Sequence, residues 1–307
     1  MKLQRPDYAY MNGKIIPWDE ATIHIGCEAA TRGLNVFEGL KGYWYKDGRF
    51  GIVFLERHFK RLQRSAKLMY IPCPWTYKEF ENAVFELVGT LLNKEKDMWM
   101  RPTLFVVEGH WGEGTKADLV ITAYNQDKEE PSPIKVGVSS WQRAIDPVLP
   151  ARIKTSTNYQ IGRFARIDGR TRGFQDMILL NQWGRVAEAT ASCVIMVRDG
   201  VIYTPPATEG ALESITIDFV EEIAKSLNIE FIRRPIDRTE LLISDEVCIC
   251  GTLAELVPVE QIDTVKLNPE TPILSKIRKK FYNIVRGMEE HPEFEVSFVP
   301  ESKNKKI

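Results

Sequence analysis

The chain has 307 residues, 44% of them hydrophobic and 27% charged, which is enough for two domains with separate cores and makes a globular protein the default. Its 41 lysines and arginines nearly balance 42 aspartates and glutamates, with no long block of one sign, so no nucleic-acid or polybasic membrane surface is expected and a small-molecule partner is. No stretch approaches the roughly 20 apolar residues that span a bilayer, and MKLQRPDYAYMNGK has no apolar run ahead of a cleavage site, so the expectation is a soluble, cytoplasmic protein.

Near the start, YAYMNGKIIPW reads as a hairpin, because Asn12-Gly13 supplies the two positive-φ positions of a tight turn between apolar arms. Lys41 to Phe54 reads as a second hairpin around Asp47-Gly48. Leu55, Phe59, Leu62, Ala66 and Met69 recur at spacings of three and four, which predicts a helix over about 55–70. Phe80, Val84, Leu87 and Leu91 predict another over about 76–93. The strand-like runs MWMRPTLFVV and ADLVITAY complete a small N-terminal domain, 1–126. QDKEEPSP is charged, contains proline and lacks apolar residues, so 127–134 reads as an interdomain linker ahead of a larger C-terminal domain, 135–307.

In that second domain IKVGVSSW, FQDMILLN, ASCVIMVRDGVIYTPP, IEFIRRP and DEVCICGTLAELVPV read as strands, with helices near 158–171, 214–228 and 271–290. Ser156 or Thr157 is a candidate cap for the first of these helices, and Pro272 suits the first turn of the last, whose apolar face is Ile273, Ile277, Phe281, Ile284 and Val285. The fold class is therefore α/β (α+β), two mixed domains. Five cysteines at scattered spacing (Cys27, Cys73, Cys193, Cys248, Cys250) read as buried thiols of a reducing compartment. Four histidines (His24, His58, His110, His291) stand far apart, none pairing with a second ligand at helical spacing, so no metal site is expected.

Lys154, in ARIKTSTNYQ, would taken alone be one more solvated lysine. The segments downstream of it draw attention to it. Tyr159 is close by, and Glu188 sits among small residues in GRVAEATASCVIM. PPATEGALESITID brings Gly210, Ser214 and Thr216 to a helix start, where N–H groups favour an anion, although an ordinary Ser214 cap accounts for the same pattern. CGTLAE places Gly251 and Thr252 at a strand end, a common place for ligand contacts.

Taken in order, YAYMNGKIIPW, NVFEGLKGY, ERHFKRLQRSAKLM, MRPTLFV, SSWQRA, KTSTNY, NQWGRVAEATASCVIM, DGVIYTPP, SITID and DEVCICGTLAELVPV resemble the class IV aminotransferases, the fold type IV pyridoxal-phosphate enzymes. Within them the chain is most similar to the branched-chain amino acid aminotransferases, over nearly its whole length. The resemblance implies two mixed α/β domains with the cofactor, pyridoxal 5'-phosphate, in the cleft between them, and a homodimer or higher homo-oligomer acting on a small-molecule amino acid and keto acid. It makes Lys154 the Schiff-base lysine, Glu188 the carboxylate facing the pyridine nitrogen and Tyr159 the hydroxyl bonded to O3′. Arg61, Ile215, Thr216 and Thr252 match phosphate-binding positions, and Leu212 the side chain packed on the ring. Arg61 would otherwise read as a surface residue. Phe37, Arg101, Thr252 and Leu253 match the substrate side, Arg101 being able to pair with the distal carboxylate of glutamate.

Three departures bear on substrate. Trp99 stands where branched-chain enzymes have a tyrosine and can donate through its indole N–H but cannot accept. Arg32 stands where an aromatic is usual and would add positive charge near the pocket mouth if it points inward. TAYNQDKEEPSPIKV is shorter than its counterpart and lacks a tryptophan- and glycine-containing closing loop, which suggests a reshaped pocket. The activity implied is reversible ping-pong transfer of an amino group from an apolar, branched-chain-type L-amino acid to 2-oxoglutarate. The alternatives on the same fold are D-amino-acid transamination, R-selective amine transamination and aminodeoxychorismate lysis. A non-catalytic cofactor-binding protein is disfavoured, since such a protein has no use for both Lys154 and Glu188.

Overall fold

The Asn12-Gly13 hairpin opens the fold in the computed structural model, which describes residues 4–301: strands Tyr8–Met11 and Lys14–Pro17 pair antiparallel, and Asn12 and Gly13 have φ of +53° and +81°. The chain divides into two compact units. One holds Ile153–Thr157 and, among the described residues, 4–129 and 284–301; the other holds Glu130–Arg152 and Asn158–Asn283. The change at 129–130 falls inside the stretch read as a linker. Residues 153–157 and 284–301, however, group with the first unit, not with a continuous domain 135–307.

Contacts within the first unit explain that grouping. Its sheet has eight strands in the order Val296–Phe298, Phe50–Val53, Leu40–Trp44, Asp97–His110, Glu113–Gln126, Tyr8–Met11, Lys14–Pro17, with Asn35–Phe37 also pairing to Asp97–His110; all pairings are antiparallel. Strand Val296–Phe298 therefore forms one edge of that sheet, and Arg286 makes a two-pronged ion pair with the buried Asp97 at 2.7 and 2.6 Å. Ile153 joins the core formed by helices Leu55–Leu68 and Tyr77–Leu91 against the sheet, through Leu55, Phe59, Leu62, Phe80, Val84 and Leu87. Each such side chain, fully buried, contributes on the order of 1.5–3 kcal/mol. Thr76 and Glu79 cap the second helix reciprocally, satisfying two otherwise orphan N–H groups.

The second unit is a nine-stranded mixed sheet in the order Val186–Ala189, Asp176–Leu180, Ile134–Gln142, Glu255–Ile262, Glu246–Gly251, Cys193–Arg198, Val201–Thr204, Phe231–Arg233, with Val265–Lys266 beside Glu255–Ile262. Ile134–Gln142 runs parallel to both its neighbours, and Val201–Thr204 parallel to Phe231–Arg233. Parallel neighbours need long crossovers, and helices Gln160–Thr171 and Ile215–Ser226 lie in them. The first buries Gly162, Ala165 and Gly169, a stripe of small residues that lets it lie close to its neighbours: a Cβ on Gly162 would sit 2.2 Å from the Thr190 carbonyl oxygen. Its start differs from expectation. Ser156–Tyr159 forms a 3-10 turn, Tyr159 occupies the cap position, and neither Ser156 nor Thr157 caps the helix. Helix Pro272–Val285 buries Leu274 in place of Ile273, together with Ile277, Phe281, Ile284 and Val285. Cys27, Cys193, Cys248 and Cys250 are buried and Cys73 half-buried; burial pushes the Cys248 thiol up to about 12, so it packs as a small apolar group.

Candidate active site

Lys154 follows the buried Ile153, and its backbone is held on both sides. Its N–H donates to Ser65 Oγ at 3.1 Å, and its carbonyl accepts from the Phe37 N–H at 2.9 Å. The side chain turns to the Phe37 ring, with Nζ 5.0 Å from the centroid. The same ring carries the Arg101 guanidinium at 3.8 Å. Trp99, two residues earlier on the strand and so on the same face, is buried and stacks on Tyr124 with ring centroids 5.5 Å apart. A Cβ on Gly39 would come within 3.1 Å of the Trp99 indole nitrogen, so glycine there lets the indole lie against the chain.

Arg61 lies 4% exposed on helix Leu55–Leu68, although the apolar pattern alone leaves it among surface basic residues. The reason is Glu38, wholly buried: Arg61 Nε and Nη2 both donate to its carboxylate at 2.8 Å, and the buried His58 meets the same carboxylate through Nδ1 at 2.7 Å. Burial by itself would raise the Glu38 pKa, but the Arg61 charge and the hydrogen bonds from Arg61 and His58 outweigh it and hold the carboxyl well below the usual range. For His58 burial wins, and its pKa is lowered despite Glu38. The ring is then neutral, with Nδ1–H donating. Neither Glu38 nor His58 was singled out by sequence as a site residue. The available signal was a glutamate inside the apolar run NVFEGL and polar residues at 58, 61 and 65, one helical stripe beside the apolar one.

Arg32 belongs to a different cluster of the first unit. It pairs with the buried Glu28 at 3.0 Å, lies 4.7 Å from the Trp111 ring centre, and lines a cavity of about 470 Å³ with Leu34, Met69 and Thr115. Its charge is thus matched by Glu28.

In the second unit Glu188 lies on strand Val186–Ala189, 5% exposed, at a break in register. Its Oε1 faces Arg143 Nε at 3.0 Å, and its Oε2 accepts the Leu212 N–H at 3.0 Å. Arg143, also buried, donates further to the carbonyls of Gly210 and Asn158, tying Glu188 to the loop that carries Leu212. That loop is anchored at its other end by Glu209, which takes two bonds from Arg185 and one from Asn181 Nδ2. Gly210 has φ of +93°, and a Cβ there would approach the Arg143 side chain and the Ala144 carbonyl oxygen at 3.1 and 3.2 Å. Arg143 is the residue of this half that sequence reading passed over, although SSWQRA contains it.

After the loop, Ser214 caps helix Ile215–Ser226, its hydroxyl accepting from the Ile217 N–H. The N–H groups of Ile215 and Thr216 belong to the first turn, which has no intrahelical acceptor and favours an anion. Thr252 and Leu253 are half-buried in the turn after strand Glu246–Gly251, and Tyr159 is half-buried at the start of helix Gln160–Thr171. The second unit thus gathers a buried carboxylate, a clamped apolar loop and a helix start; the first gathers an amine, a guanidinium and an aromatic ring. Each unit by itself thus holds groups of the kinds that pyridoxal 5'-phosphate calls for, a carboxylate and a helix start in the second and an amine and a guanidinium in the first.

The sequence profile of the family described as amino-transferase class IV matches residues 35–262. The chain is 30% identical over 299 residues to the branched-chain-amino-acid aminotransferase of Escherichia coli strain K12, covering 94% of this chain and 96% of that one. A branched-chain aminotransferase from Thermoproteus uzoniensis, solved with norvaline, superposes with a TM-score of 0.89 at 31% identity over 95% of this chain and 99% of that one. The T.th. branched-chain amino acid aminotransferase complexed with N-(5'-phosphopyridoxyl)-L-glutamate gives 0.90 at 28% identity over 97% and 100%. The chain belongs to the class IV aminotransferases and is a pyridoxal-phosphate-dependent transaminase of fold type IV.

Proposed function

We propose that this transaminase moves the amino group of an apolar L-amino acid, branched-chain in type, to 2-oxoglutarate by a ping-pong sequence, as a cytoplasmic homodimer or higher homo-oligomer. The observation that carries the substrate reading is Arg101 lying on Phe37: one surface offers an aromatic ring to an aliphatic chain and a guanidinium to a distal carboxylate. One relative was solved with norvaline, an apolar amino acid, and a different one with a glutamate derivative of the cofactor.

Bound pyridoxal phosphate supplies an electron sink for the bond at the substrate's α-carbon. The residues divide the remaining work. Lys154 Nζ would take the proton from the substrate's α-carbon and deliver it to the C4′ carbon of the bound cofactor. Glu188 would keep a proton on the ring nitrogen, and the Arg143 and Leu212 contacts fix which way that carboxylate faces. Tyr159 would hold the ring oxygen, and Leu212 would pack against the ring. Arg61, the N–H groups of Ile215 and Thr216 and the Thr252 side chain are the groups that would hold the phosphate. Glu38 and His58 keep the Arg61 fork in one orientation. Phe37, Trp99, Thr252 and Leu253 line the substrate side with Arg101, while Arg32 contributes a charge already balanced by Glu28.

Absorbance of the purified protein with pyridoxal phosphate tests this directly. L-isoleucine and L-glutamate, added separately, are each expected to remove the visible band of the lysine-bound cofactor. A response confined to D-alanine or R-1-phenylethylamine would replace the substrate reading with one of its sister activities. Lys154→Ala is expected to abolish that band while cofactor still binds through phosphate and ring contacts; an unaltered band would overturn the role of Lys154.

A further inference from the structure

Arg101 is held by a directional chain of hydrogen bonds inside the first unit. Its Nη2 donates to Ser156 Oγ at 3.2 Å, Ser156 Oγ donates to Asn35 Oδ1 at 2.7 Å, and Asn35 Nδ2 donates to the Gly33 carbonyl at 3.2 Å. The polarity of the chain is set by what each group can do. Asn35, with its amide nitrogen on a carbonyl, must turn its oxygen to Ser156. Ser156, having given its one proton to Asn35, can only accept from Arg101. The Ser156 N–H also points to Asn35 Oδ1 at 3.4 Å, so the serine is located by backbone as well as side chain. The guanidinium thereby has its face on Phe37 and one nitrogen on the neutral Ser156 hydroxyl.

We propose that Ser156 and Asn35 are positioning residues that set how well the enzyme accepts dicarboxylate substrates relative to apolar ones. The inference rests on the reading of Arg101 as the group that meets the distal carboxylate. A long arginine must otherwise give up rotamer freedom when the carboxylate arrives, and the relay removes that cost beforehand. A leucine side chain asks only for the Phe37 and Trp99 surfaces and is indifferent to where the guanidinium points. The relay therefore acts on one of the two amino acids the enzyme must take in turn and not on the other.

The test is the half-reaction of the holoenzyme with L-glutamate and with L-leucine in Ser156→Ala, Ser156→Thr, Asn35→Ala and Arg101→Met. Ser156→Ala is expected to raise the KM for glutamate about five- to tenfold, the scale of one ordinary hydrogen bond, with KM for leucine and both kcat values changed by less than about twofold. Ser156→Thr keeps the hydroxyl and should restore glutamate binding, and Asn35→Ala should reproduce the same split less strongly. If Ser156→Ala shifts both substrates together, or neither, the relay is a local tether of the segment after Lys154 and the proposal is wrong. Arg101→Met separates the two ways of failing. Should it split the substrates while Ser156→Ala does not, the relay alone falls; should it fail to split them, the reading of Arg101 falls and takes the relay with it.

Discussion

At the scale of single residues, the polar groups of both units are held by partners far away in sequence. Glu38 brings Arg61 and His58 inward from a helix on which Lys60, Arg64 and Lys67 are exposed and Arg57 is half-buried. Nothing in the spacing of ERHFKRLQRSAKLM distinguishes Arg61 from these neighbours, because the feature that decides it is a carboxylate on another element. Burial lowers the His58 pKa from its ordinary 6.5, so the folded protein keeps this ring neutral while the unfolded chain takes up a proton. Stability associated with His58 is therefore full above about pH 6.5 and is lost as pH falls below it. Glu38, whose pKa is lowered, adds a further loss at lower pH, as the carboxyl is protonated. His58→Asn is expected to be less stable at pH 8 but to flatten the decline in melting temperature between pH 7 and pH 5. An unchanged slope would assign the acid sensitivity to other groups.

At the scale of elements, periodicity carried most of the information. The stripes over 55–70 and 76–93 correspond to helices Leu55–Leu68 and Tyr77–Leu91, and the Ser214 cap to helix Ile215–Ser226. Periodicity was silent where an element is short or is selected by close approach. Strand Val186–Ala189, which bears Glu188, is four residues long and paired across a bulge. Helix Gln160–Thr171 is positioned by Gly162 and Gly169, whose role is visible only against the groups they approach. Gly162→Ala puts a Cβ against backbone that cannot yield without moving Thr190, two residues past Glu188. A loss of about 1–3 kcal/mol is expected by chemical denaturation, with weaker retention of pyridoxal phosphate. Wild-type stability would show that the helix can slide at no cost.

At the scale of the whole molecule, the chain does not divide at one point. Residues 284–301 return to the first unit, where Val296–Phe298 adds an edge strand and Arg286 neutralises Asp97. Asp97 is 1% exposed, so removing its partner leaves a buried, uncompensated charge. Arg286→Ala is expected to cost on the order of 3 kcal/mol and to lower the melting temperature by several degrees. A change below about 0.5 kcal/mol would mean that water reaches Asp97 once the arginine is gone.

Fold class, the two-unit plan, the long helices and hairpins, and the class of chemistry were all legible in the sequence alone. The elements rest on local periodicity and turn residues, which are properties of neighbouring positions, and the class of chemistry on the resemblance that the ordered motifs carry. It took the folded chain to establish that Lys154 is held by Ser65 and Phe37, that Arg61 is buried on Glu38, that Arg143 holds Glu188, and that Ser156 and Asn35 hold Arg101. Each of these joins residues about 20 to 120 positions apart, where the favoured partner is set by burial and by the need of every buried donor and acceptor to be satisfied, and no local pattern encodes that.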